Sequence, residues 1–127
     1  MNYPRAGTLL IPSGPSHDPN QRHMFIVCTE TAADGTNLLV PVASWVNDLC
    51  DATCRLAVHE HGFLRHPSYV FYRNARIEPA QKLHDGLAAG IFTTHDPVNG
   101  QVFLRVRNGI CRSPQTARKI NIYFGCP

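Results

Sequence analysis

The stretch SGPSHDPNQRHMFIVCT, residues 13–29, gathers Ser13, Ser16, His17, Asp18, Arg22 and His23 into one polar segment that runs straight into apolar residues. Imidazoles such as His17 and His23 exchange protons near neutral pH. The planar fork of Arg22 can bond two oxygens of a phosphate at once. Asp18 is placed to orient a histidine, and Ser13 and Ser16 add hydroxyls that could touch a substrate. The same residue types recur at Ser44, which closes the apolar run NLLVPVASW, and in RHPSY, which holds His66, Ser68 and Tyr69. Proton transfer beside an anionic centre is the chemistry these groups suit. Each also has an ordinary use: Ser13-Gly14-Pro15 and Asp18-Pro19 are turn chemistry, a strand-end serine can bond its own backbone, and His66 with Ser68 can form a turn before a strand.

The elements that must position these residues read as β first and α last. A chain of 127 residues suits one domain, 1–127. AGTLLIP (6–12), RHMFIVCT (22–29), NLLVPVASW (37–45), TCRLAVH (53–59) and SYVFYRNARI (68–77) are short apolar, alternating or β-branched runs separated by polar turns. The proline inside the third run is expected to end or kink its pairing. Five to six such strands over about residues 6–80 predict a small curled barrel. The last part, about 94–125, carries helical punctuation and makes the fold mainly β with C-terminal helices, an α+β class. Asp96-Pro97 could cap a helix whose stripe is Val98, Val102, Val106 and Ile110, with Gly109 near its end. The alternative for 91–110 is a hairpin turning on VNGQ. Ser113-Pro114 could open a final helix with Ile120 and Phe124 on one side and Gly125 as its stop.

Composition narrows the function classes. The chain is 43% apolar and 17% charged, with a net charge of +3 and a pI near 8.7. That balance permits an acidic partner without requiring one. No run approaches the roughly eighteen apolar residues of a membrane span. MNYPRAG lacks the apolar core of an export signal, so a cytoplasmic setting is expected. Five cysteines are then expected as reduced, mostly buried thiols. Cys50, Cys54, His59 and His61 are the right ligand types for zinc. Their irregular spacing, with Cys54 in an alternating strand beside Leu56 and Val58, favours plain thiols, and no metal or other cofactor is expected.

The order of these runs resembles the PemK/MazF toxins, the endoribonuclease members of toxin–antitoxin pairs. GTLLIP stands where that family has its opening strand, and RHMFIVC stands where an arginine enters an apolar strand after a long loop. VPVAS matches a strand ending in a hydroxyl residue, and CRLAVHEHGFLRHPSYVFYRNARI matches the section that ends in a serine. Thr8, His23 and Ala43 depart from the pattern. The resemblance implies an SH3-like barrel and metal-independent cleavage of single-stranded RNA by its own 2′-hydroxyl. Arg22 would hold the phosphate, Ser44 would donate to it, and His17 or His23 would move the proton. Ser13, Ser16, His66, Ser68 and Tyr69 would lie around the substrate. The implied partners are a small antitoxin protein and a second copy of the chain, through Ile120, Ile122, Tyr123 and Phe124. The runner-up is a barrel that binds peptide or nucleic acid without cutting it.

Overall fold

A computed structural model describes residues 8–12, by their backbone alone, and residues 22–127. Its strands are β1 (Thr8–Pro12), β2 (Arg22–Val27), β3 (Thr36–Ser44), β4 (Arg55–Leu56), β5 (Ser68–Val70), β6 (Arg76–Pro79) and β7 (Thr93–His95). The described residues also form three helices: α1 (Ala80–Ala88), α2 (Gly100–Ile110) and α3 (Arg118–Phe124). All pairings are antiparallel, in the order β4-β5-β3-β2-β1-β7, and β6 also pairs with β3. The sheet is open, with β4 and β7 at its ends. The class is therefore α+β.

Strand β3 organises the sheet by changing partner halfway. Residues 36–39 pair with β6 and 42–44 with β5. Pro41, which has no N–H to donate, falls at the changeover, and its carbonyl accepts from the Phe71 amide at 2.9 Å. Alternation along the strands then makes two faces. One carries Met24, Ile26, Leu38, Val40, Val42, Leu56 and Val70, which meet Val98, Val102, Val106, Ile110 and Ile120 in the main core. The other carries Phe25, Val27 and Leu39, covered by Leu83 and flanked by Leu87 and Phe92.

Several expectations are corrected. The 53–59 run pairs only at Arg55–Leu56, and Val58–Glu60 is a 3-10 turn with Val58 exposed, so Val58 does not share a core face with Cys54 and Leu56. The 68–77 run breaks into β5, a 3-10 turn over Tyr72–Asn74, and β6. The break lets Tyr72 drop under α2, where it is fully buried and its hydroxyl donates to the Val106 carbonyl at 2.7 Å. Helix α1, in AQKLHDGLA, had no expected counterpart. Residues 100–110 are helical and not a hairpin, but the cap is Asn99, whose side chain accepts from the Val102 amide at 2.9 Å. Likewise α3 starts after Ala117 and not at Ser113-Pro114, while Gly125 ends it with φ of +81° as a left-handed cap.

The thiol and interface expectations change as well. Cys111 and Cys126 form a disulfide that ties the end of α2 to the end of α3, so only Cys28, Cys50 and Cys54 are free. Of the residues assigned to a second copy, Ile120 is buried within this chain, and Tyr123 and Phe124 pack against its own core. The Tyr123 hydroxyl also pairs with Thr36 Oγ1 at 2.8 Å, which leaves Ile122 as the well-exposed one of the four.

Candidate phosphate-binding hollow

The core face continues past its apolar residues to the strand ends. Met24 lies across from Val42, and carrying that register two residues further sets Arg22 across from Ser44. Ser44 in turn pairs with Ser68 across β3 and β5. Arg22, Ser44 and Ser68 therefore extend the face that carries Met24, Val42 and Val70, at the point where the strands outrun the core. The segment between β4 and β5 folds over this end with Phe63, Leu64, Arg65 and His66. Together they enclose a hollow of about 330 Å³.

Each wall is fixed by local bonding. Arg22 donates from Nη1 to Thr93 Oγ1 at 2.9 Å, so β7 holds the guanidinium of a residue that lines the hollow. Ser68 is buried and donates to the His66 carbonyl at 2.8 Å, which sets the turn that presents His66. Arg65 donates to the Gly62 carbonyl at 2.8 Å and braces the same turn. The segment is rooted by buried His61. Its Nδ1 accepts from the Phe63 amide at 3.0 Å, so its Nε2 must be the N–H that donates to the Asp96 carbonyl at 2.6 Å. His95 lies against both anchors, 4.9 Å from the His61 ring and 5.7 Å from that of Phe63.

Five residues expected at a site thus border one hollow: Arg22, His23, Ser44, His66 and Ser68. His23 needs a correction. It borders the hollow, but alternation turns its side chain to the opposite face, with Phe25 and Arg76. Burial first, and then the Arg76 charge, hold its pKa below the usual imidazole value. Tyr69 is also on that far face, buried against Trp45 at 5.9 Å and Phe71 at 5.6 Å. Ser13, Ser16 and His17 lie outside the described residues. Arg65 was missed, although it sits beside His66 in FLRHPSY; a second guanidinium next to a candidate imidazole was the available signal. Nothing in the local sequence pointed to Thr93, and His61 stood out only as a zinc-ligand type, not as the anchor of this segment.

The alternative metal set does not assemble. Among the described residues no three histidine, cysteine or acidic side chains come together as ligands. Cys54 is buried with its thiol pKa raised by that burial, whereas His59 is exposed. No helix among the described residues is long and apolar enough to cross a membrane.

The hollow holds two guanidiniums, an imidazole and two hydroxyls above an apolar floor. That set has the chemistry to hold an oxyanion and to move a proton beside it. No protein-family model and no curated protein matches the chain.

Proposed function

We propose that the chain is a metal-independent endoribonuclease that cleaves single-stranded RNA, the toxin of a toxin–antitoxin pair on an SH3-like scaffold. The observation that carries this reading is the convergence of Arg22, Arg65, His66 and Ser44 on one hollow. Arg22 and Arg65 hold the scissile phosphate, and Ser44 donates to a non-bridging oxygen. His66 takes over from His23 as the proton carrier, because the His23 side chain turns to the other face. It accepts the 2′-hydroxyl proton as that oxygen attacks phosphorus. The bond from phosphorus to the 5′-oxygen breaks, and that oxygen leaves with a proton from a second donor, the part assigned to His17. The products are a 2′,3′-cyclic phosphate and a 5′-hydroxyl. The attacking group belongs to the substrate, so the step balances without a metal. The resemblance to PemK/MazF toxins supplies the rest of the reading: a homodimer, a small antitoxin partner and a cytoplasmic setting, in which the Cys111–Cys126 pair would be kept reduced.

The test is cleavage of end-labelled single-stranded RNA in EDTA, with the new ends mapped. Arg22→Ala should slow cleavage about 10²–10³-fold, the range seen when one donor to a developing oxyanion is lost. Arg22→Lys should recover little, because a point charge does not replace a two-pronged donor. Cleavage by Arg22→Ala at the parent rate would refute the assignment.

One observation favours a second reading, a module that binds RNA or peptide without cutting. Among the described residues the hollow contains one imidazole, whereas acid–base cleavage employs two groups. Bound RNA recovered with intact ends would select this reading.

A further inference from the structure

Helix α1 covers only part of the second sheet face. Leu83 and its neighbours close over Val27 and Leu39. Beside them a hollow of about 240 Å³ is lined by the buried Phe25 and Pro41, the half-buried Ala43, and His23, Phe71, Asn74 and Arg76. The pairings put these walls on one side: Phe25 lies opposite Pro41, Leu39 opposite Arg76, and Ala43 opposite Tyr69, two residues from Phe71.

Its chemistry differs from that of the phosphate hollow. The Arg76 guanidinium lies 4.7 Å from the centre of the Phe25 ring, a flat cationic surface over a flat apolar one. The half-buried Phe71 offers a second aromatic surface, and Asn74 carries an exposed carboxamide with a donor and an acceptor side by side. A fully charged phosphate would want several cationic donors, as the first hollow supplies. Flat walls, one guanidinium and a paired donor–acceptor edge suit a neutral planar ring with its own donors and acceptors.

From this we infer that the hollow bounded by Phe71, Asn74, Arg76 and His23 takes one nucleobase of a single-stranded nucleic acid. The inference rests on the RNA reading above for its biological setting, but the base hollow can be tested without any phosphate. His23 and Ala43 border both hollows, which lie on opposite faces of β2 and β3.

The probes are adenosine, guanosine, cytidine and uridine, each titrated at millimolar concentration into the full-length protein and followed by amide NMR. The expected result is that at least one nucleoside shifts the Asn74 side-chain amide and the backbone signals of residues 71–76. Phe71→Leu keeps apolar bulk but removes the stacking ring, and Asn74→Ala is an exposed change that leaves packing alone. Phe71→Leu should weaken that nucleoside at least about fivefold, the lower end of what one lost base–aromatic stack costs, and Asn74→Ala should weaken it about two- to tenfold, the cost of one lost hydrogen bond. RNA cleavage, measured alongside, should show a raised KM for Phe71→Leu with kcat nearly unchanged. If no nucleoside shifts these signals, or if Phe71→Leu and Asn74→Ala bind as the parent does, the base hollow is refuted even where RNA is cleaved. If nucleosides bind as expected and no RNA is cut, the base hollow stands and the endoribonuclease reading falls.

Discussion

Replacing Gly109 by alanine tests how α2 is seated on the sheet. A Cβ at this position would lie 1.9 Å from the Tyr72 hydroxyl oxygen and 2.6 Å from its Cζ, well inside contact distance. Tyr72 has nowhere to retreat, being fully buried with its hydroxyl bonded to the Val106 carbonyl. Overpacking a core in this way costs about 1–3 kcal/mol. Pushing the hydroxyl off its acceptor leaves a buried polar group unsatisfied, about another 1–3 kcal/mol. Against that, alanine gains about 1 kcal/mol over glycine inside a helix. The net expectation is a loss of about 1–5 kcal/mol, or roughly 3–5 °C of Tm for each kcal/mol in a domain of this size. Thermal and urea unfolding followed by circular dichroism would read it. A double-mutant cycle sharpens the test: in a Tyr72→Phe background the nearest atom is gone while the ring remains, so Gly109→Ala should cost about 1 kcal/mol less there. An unchanged or raised Tm for Gly109→Ala alone would refute this seating of α2.

Two further outcomes follow from the titrating groups. Cys50 should be the fast thiol: backbone hydrogen bonds at Val46 and Asn47, then the Tyr69 hydroxyl and the Arg55 charge, hold its pKa below the ordinary cysteine value, whereas burial pushes Cys28 up to about 12 and raises Cys54. Iodoacetamide labelling read by mass spectrometry should therefore modify Cys50 first and Cys28 and Cys54 only on unfolding, and Cys54 labelling at the Cys50 rate in the native protein would contradict it. For Asp51, burial alone would raise the carboxyl, but hydrogen bonds from Ser113 and Thr53 outweigh it and hold the pKa below the usual carboxylate range. The stability this contributes is whole above the ordinary carboxylate pKa and is lost as pH falls through the depressed one. Ser113→Ala should lower stability at pH 7 by about 1–3 kcal/mol and weaken its acid dependence, and an unchanged pH–Tm curve would count against the lock.

The legible parts of the fold were those whose cause lies in a few neighbouring residues. Continuous apolar runs marked β2 and β3, the repeat of Val98, Val102, Val106 and Ile110 marked α2, and Gly125 marked the end of α3. The misreadings share a different cause, a distant contact that overrides local preference. SYVFYRNARI has strand composition throughout, but Tyr72 is drawn down to Val106, thirty-four residues away, and the strand breaks there. Ser113 has the look of a helix cap, yet its hydroxyl is drawn to Asp51, sixty-two residues away, and the helix waits until Arg118. Helix α1 hid because its buried side carries one large apolar residue, Leu83, beside the small Ala80 and Gly86, with Gly86 spared a side chain so that the Phe92 ring can lie over it. The disulfide was hidden for the same reason: Cys111 and Cys126 meet only because α3 turns back on α2, which leaves their Cα atoms 5.5 Å apart.

The candidate site shows why residue types can be legible while their geometry is not. Arg22 and His23 are neighbours in sequence, and as neighbours they invite one shared reaction. A strand forbids that, since adjacent side chains leave on opposite faces. Arg22 joins Ser44 and Ser68 on the core face, where Arg65 and His66 arrive from another segment. His23 joins Phe71, Asn74 and Arg76 on the other. Alternation thereby separates Arg22, Ser44 and Ser68 from His23, and the β4–β5 segment and the turn at Tyr72–Asn74 bring the remaining walls to each side. A nucleotide divides in the same way, into an anion that wants guanidiniums and hydroxyls and a ring that wants a flat surface with a donor–acceptor edge. That match is why His66, distant in sequence but adjacent to Arg65 at the first hollow, is a better proton carrier for the proposed cleavage than His23, one residue from the arginine it would have to serve.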